Sequence, residues 1–131
     1  MTVFVDTSAL YALLDADDPR HVDVKKSFAS LDGTRLLSHS YVVVESVALV
    51  ERRLGRSATR DLLVELVTQI AVLYVDESIH NAATSAYFSS GPTGPSLVDF
   101  TSFEVMRLRG VRTALAVDRD FADAGFQVLP A

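Results

Sequence analysis

Cysteine is absent from this 131-residue chain, which excludes disulfides and thiolate metal sites. Long apolar runs are absent too. Tyr41 to Val44 and Ser46 to Val50 are split by Glu45 and are too short to cross a membrane. The first residues are strand-like, with no basic region, apolar stretch or cleavage site, which argues against a secretory signal. No repeat or low-complexity tract is present. Lysine is scarce: Lys25 and Lys26 are the only two, and the other ten basic residues are arginines. Together these absences favour a cytoplasmic protein without a membrane segment.

The hydrophobic share is 49%, which argues against disorder. The length suits one domain spanning residues 1–131, and a domain of this size buries roughly two-thirds of its unfolded surface. The net charge of −5 alone disfavours a nucleic-acid binder, since phosphate is met by Lys and Arg. The arginines are clustered, however, as Arg52, Arg53, Arg56 and Arg60, and as Arg107, Arg109, Arg112 and Arg119. A local Arg surface binds phosphate bidentately even on an acidic protein. Solvated helix faces are the alternative reading.

Short apolar runs alternate with helical patterns. Strands are expected at Thr2 to Val5, Arg35 to His39, Ala71 to Val75, Thr113 to Val117 and Phe126 to Leu129. Helices are expected at Thr7 to about Ala16, Pro19 to Leu31, Ser40 to Leu54, Ser57 to about Ile70, Glu77 to Ser89 and Leu97 to Arg109, with Ser40 and Ser57 as caps. The stretch "SSGPTGPS", Ser89 to Ser96, is read as a surface loop. Alternation of this kind implies a three-layer α/β/α fold around a parallel sheet of four to five strands. Ligands bind such sheets beyond the strands' carboxyl ends, where strand order reverses.

Asp6 ends the first strand and Asp118 ends the fourth. If those strands are neighbours, two carboxylates meet at the ligand edge. Glu45 interrupts "YVVVESVALV" on a mostly apolar helix face, and Asp99 sits in the first turn of the helix after the Gly/Pro loop. Each acid has a structural role open to it. Asp6 can cap a helix, Asp99 can complement a helix dipole, Glu45 can pair with Arg52, and Asp118 can begin a turn. Were all four gathered, they would repel unless a cation joined them. Oxygen ligands without Cys or paired His suit Mg²⁺ or Mn²⁺. Asp76 ends the third strand, so a strand-end acid alone is a weak signal.

"VFVDTSAL", the helix-borne Glu45, "SLVDFTSFEVMR" and "ALAVDRDF" together resemble the PIN-domain ribonucleases, and within them the VapC-type toxins of type II toxin–antitoxin pairs. The resemblance covers nearly the whole chain. It implies that Asp6, Glu45, Asp99 and Asp118 are the catalytic, metal-holding acids, and that Ser8 supports the site. It implies Mg²⁺-dependent cleavage of structured RNA, transfer or ribosomal, with Mn²⁺ able to substitute. It further implies a homodimer and a cognate small VapB-type antitoxin. An arginine of that partner would enter the acidic pocket, and its apolar residues would cover the helix faces near Leu10, Leu14 and Leu49. Ala116 stands where many members carry Thr or Ser. Asp120 is read either as a fifth, accessory acid or as a turn residue. Two other classes stay open: a catalytically silent PIN-like binding module, and a receiver-type signalling domain with Asp76 as phosphoacceptor, although no lysine follows Lys26 to serve it. His39, at the end of the second strand, is read as a satisfied buried histidine rather than a general base.

Overall fold

Val3, Phe4 and Val5 are fully buried in the first strand, as a parallel strand covered on both faces requires. The computed structural model describes residues 1–131. Its chain order is β1 (Thr2–Val5), α1 (Thr7–Leu14), α2 (His21–Ser30), β2 (Arg35–His39), α3 (Ser40–Leu54), α4 (Arg56–Asp61), β3 (Ala71–Leu73), α5 (Glu77–Ser89), α6 (Leu97–Arg109), β4 (Thr113–Leu115), α7 (Asp120–Asp123) and β5 (Gln127–Leu129). The five strands form one sheet in the order β3-β2-β1-β4-β5. All pairs are parallel, with Val3 opposite Leu36 and Phe4 opposite Ala114. The chain builds outward from β1 to β3, then crosses to the other side for β4. The strand order therefore reverses between β1 and β4, where Asp6 and Asp118 emerge.

Several boundaries differ from the expected ones, each for a local reason. The α1 helix stops at Leu14, where the Asp15 amide bonds to the Tyr11 carbonyl and the Asp15 carboxylate accepts from the Tyr11 hydroxyl at 2.6 Å. The Asp18 carboxylate accepts from the Arg20 amide, so Asp18 to Arg20 form a turn and α2 begins at His21. The single helix expected from Ser57 to Ile70 is broken. After α4 comes a π turn, Leu62–Leu66, then a 3₁₀ turn, Val67–Gln69. The Val67 amide reaches the Leu62 carbonyl five residues back, which keeps Leu62 buried and brings Leu66 and Val67 against the core. Neither expected serine cap forms: Gly55 precedes α4 without a side-chain bond, and His39 caps α3. Ser40 is instead the first residue of α3, and its hydroxyl accepts from the Val75 amide, drawing the chain off the sheet and ending β3 early.

The fourth strand ends at Leu115 for a reason that matters to the site. The Ala116 amide still bonds to the Leu129 carbonyl, but the Val117 amide turns to the Ser8 hydroxyl at 2.9 Å. The short helix α7 had no sequence counterpart. Phe121 on it is fully buried and packs on Phe4 and Phe103. No helix is long and apolar enough to cross a membrane.

Candidate metal centre

Asp6 follows β1 directly, and its amide continues the ladder by bonding to the Leu115 carbonyl. Its side chain caps α1, accepting from the Ser8 amide at 3.1 Å and the Ser8 hydroxyl at 2.6 Å, both on Oδ2. Since Ser8 Oγ also receives the Val117 amide, one hydroxyl ties the acid of β1 to the end of β4. Capping is thus real, and it engages Oδ2 alone.

Asp99 is placed by a capping box. The Ser96 hydroxyl accepts from the Asp99 amide, while Asp99 Oδ2 accepts from the Ser96 amide at 3.0 Å. This uses one carboxylate oxygen and leaves Oδ1 for the cavity. The signal Ser-x-x-Asp stood in the sequence at Ser96 to Asp99, so Ser96 was legible as a supporting residue and was missed.

Glu45 is positioned through its neighbour. The Ser46 hydroxyl donates to Thr7 Oγ1 at 3.0 Å in the core, pinning α3 to α1. His39 fixes both remaining elements. Its Nδ1 accepts from the Tyr41 and Val42 amides at the start of α3, and its Nε2 lies 2.8 Å from Ser102 Oγ, one turn beyond Asp99 on α6. Because Nδ1 accepts, the ring proton sits on Nε2 and the imidazole is neutral. Burial holds its pKa down, to about 4. A ring committed on both nitrogens is a joint, as expected, and not a general base.

Asp6, Asp99 and Asp118 each offer an oxygen such that all three lie within 4.8 Å of one another. They line one cavity of about 480 Å³ with Thr7, Ser8, Glu45, Ala48, Leu49, Arg52 and Ser96. Glu45 is therefore in the same cavity but outside the tight triad. Asp120 does not line it. It begins α7, its amide donates to Asp118 Oδ1 at 3.1 Å, and its charge adds to the rise in the Asp99 and Asp118 pKa values. Asp76 caps α5 by accepting from the Ile79 amide and lies outside the cavity, which removes the basis of the receiver reading. The Glu45–Arg52 pair does not form, for the one ion pair in the molecule is Arg56 with Glu51.

The electrostatics are those of desolvated carboxylates of like charge. Burial pushes the Asp6 carboxyl up to about 7, against the lowering effect of its Ser8 bonds, with the Asp99 and Asp118 charges adding to the rise. Asp99 and Asp118 are raised as well, chiefly by burial. A divalent cation would satisfy this donor set. The three oxygens lie close enough together to share one cation. The all-oxygen chemistry fits Mg²⁺ or Mn²⁺.

Comparison with known proteins places this geometry. The family model described as "PIN domain" matches residues 3–127. Over 125 residues the chain is 36% identical to the 23S rRNA-specific endonuclease VapC20 of Mycobacterium tuberculosis, covering 95% of both proteins. The crystal structure of M. tuberculosis VapC20, described as a sarcin–ricin loop cleaving toxin, superposes with a TM-score of 0.87 at 34% identity over 95% of each chain. VapBC2 of Rickettsia felis, bound to a DNA fragment from its promoter, gives 0.72 at 9% identity over 98% and 97% of the chains. FitAcB of Neisseria gonorrhoeae gives 0.70 at 17% over 98% and 96%. At those last two identities the likeness concerns the fold alone.

Proposed function

This chain belongs to the PIN domain family, among its VapC-type endonucleases, and from that premise we propose a Mg²⁺-dependent endoribonuclease that acts in the cytoplasm as the toxin of a toxin–antitoxin pair and cuts ribosomal RNA. The observation that carries the proposal is the convergence of Asp6, Asp99 and Asp118 within 4.8 Å at the point where strand order reverses. Similarity to a 23S rRNA-specific endonuclease favours ribosomal over transfer RNA. Residues 1–131 are read as one such domain.

In this reading Asp6, Asp99 and Asp118 hold the ion, and Glu45 completes the acidic site from α3, directly or through water. A divalent ion bound there supplies an activated water near neutral pH and offsets charge on the phosphate under attack. The chain supplies rigidity. Ser8 fixes the rotamer of Asp6 and joins it to β4. Ser96 fixes Asp99, and the Thr7–Ser46 contact sets the approach of α3. Asp6 surrenders its proton when the ion binds, so the site loads less well as pH falls below about 7.

A small antitoxin silences the protein by placing a cationic side chain among the carboxylates. Its apolar residues cover the helix faces near Leu10, Leu14 and Leu49, where Leu14 and Leu49 are partly buried and Leu10 lies in the core beneath them. The test is incubation of purified protein with ribosomes, followed by mapping of new RNA ends. Cleavage at discrete 23S sites, abolished by EDTA, restored by Mg²⁺ or Mn²⁺ and inhibited by Ca²⁺, is the expected result. Cleavage that persists in EDTA overturns the metal mechanism.

A further inference from the structure

An acidic cavity that must receive a polyanion has a problem of sign, and the cavity's own lining contains one answer. The floor is Asp6, Asp99 and Asp118, with Glu45 beside them; Ala48 and Leu49 follow along α3, then Arg52. From Glu45 to Arg52 is seven residues, about 10 Å along a helix at 1.5 Å per residue. Arg52 is the only basic residue lining this cavity.

Of the neighbouring arginines, Arg53 and Arg56 have partners and Arg60 lies outside this cavity. Arg53 lies over the Tyr11 ring at 5.4 Å, Arg56 pairs with Glu51 at 3.2 Å, and Arg60 lines a separate groove with Glu51 and Arg56. Arg52 has no carboxylate within ion-pair distance and no ring beneath it. A guanidinium on a long stem near several carboxylates would gain by pairing with one of them. Ala48, exposed, and Leu49, partly buried, occupy the turns of α3 between Glu45 and Arg52, and Arg52 lines the acids' cavity without an ion pair to any of them.

We propose that Arg52 is a substrate-positioning residue: it binds a backbone phosphate of the RNA next to the scissile one, about two helical turns from Glu45, and so sets the strand's register over the carboxylates. This rests on the endoribonuclease reading. The chemistry is that of a guanidinium fork on phosphate oxygens. Such a contact fixes position without reading a base.

The experiment measures the affinity of a short synthetic stem–loop RNA for protein carrying Asp6→Asn, which prevents cleavage, across a range of salt concentrations. Adding Arg52→Ala should weaken binding roughly threefold to tenfold at moderate salt and flatten the slope of log affinity against log salt by about 0.7–0.9, the value of one phosphate contact. Arg52→Lys should restore the slope while recovering only part of the affinity, because an ammonium lacks the fork. Arg56→Ala, whose charge already faces Glu51, should leave the slope nearly as it was. An unchanged slope in Arg52→Ala overturns the inference. If the parent protein cleaves RNA and the slope is unchanged, the Arg52 assignment fails alone. If the Asp6→Asn protein binds no RNA and the parent cleaves none, both readings fall.

Discussion

A carboxylate as deeply buried as that of Asp6 is costly as a charge unless something positive meets it. Without metal, Asp6 therefore works against the fold. Its pKa is raised from 3.8 to about 7, so the native state holds a proton that the unfolded chain has released. Stability consequently falls as pH rises from about 4 through about 7 and levels off above it. Asp6→Asn keeps the shape and the acceptor for Ser8 but removes the titration. The metal-free mutant should exceed the parent in stability by about 1–3 kcal/mol at pH 8, less than the full shift would give because the site relaxes. The gain should fade towards pH 4. Thermal melts in EDTA across this range measure it, and a gain independent of pH would mean that Asp6 is not the titrating group. In Mg²⁺ the order should reverse, the parent gaining stability that the mutant does not.

Among the elements, the joints between helices decide where the acids stand, and His39 is the principal joint. It caps α3, which carries Glu45, and meets Ser102 on α6, which carries Asp99. His39→Ala removes the cap, breaks the Nε2–Ser102 bond and opens a cavity in the core, at about 2–4 kcal/mol. His39→Asn keeps a capping acceptor but cannot span to Ser102, and should lie between mutant and parent in denaturant unfolding. A cost below about 0.5 kcal/mol for His39→Ala would refute the joint. The histidine also has an acid limit. Its pKa falls from 6.5 to about 4 through burial, so its contribution is complete above about pH 6.5 and lost as pH drops through about 4. The order of strands and helices was legible because apolar runs of strand length alternate with helical periods. The tertiary bonds that fix exact ends were not. Nothing local in Thr113 to Val117 says that the Val117 amide will turn to Ser8, 109 residues away in sequence. Nor does "DLLVELVTQI" announce a π turn, since its apolar spacing is equally compatible with an unbroken helix. The four acids were legible because each sits at a strand end, a helix start or on an apolar face. That Glu45 stands back from the triad is a matter of three-dimensional spacing.

At the scale of the whole molecule, apolar surface is left uncovered. Val44 on α3 is 67% exposed, Phe88 on α5 78%, and Tyr74 after β3 81%. Leu63 and Val64, in the π turn after α4, are exposed as well. Such faces favour association of two copies, and we expect sedimentation to show a homodimer at tens of micromolar, a rough range for weak association; a monomer there would count against it. The metal is the central claim, and its most direct test is titration of the metal-free protein with Mn²⁺, followed by the paramagnetic signal of the free ion. The parent should bind at neutral pH and more weakly below about pH 7, as the Asp6 proton competes. Asp6→Asn, Asp99→Asn and Asp118→Asn should each lose tenfold or more in affinity while remaining folded by circular dichroism, roughly what even supporting groups cost a metal site. Unchanged affinity in all three folded mutants would show that the cluster between β1 and β4 is not where the ion sits.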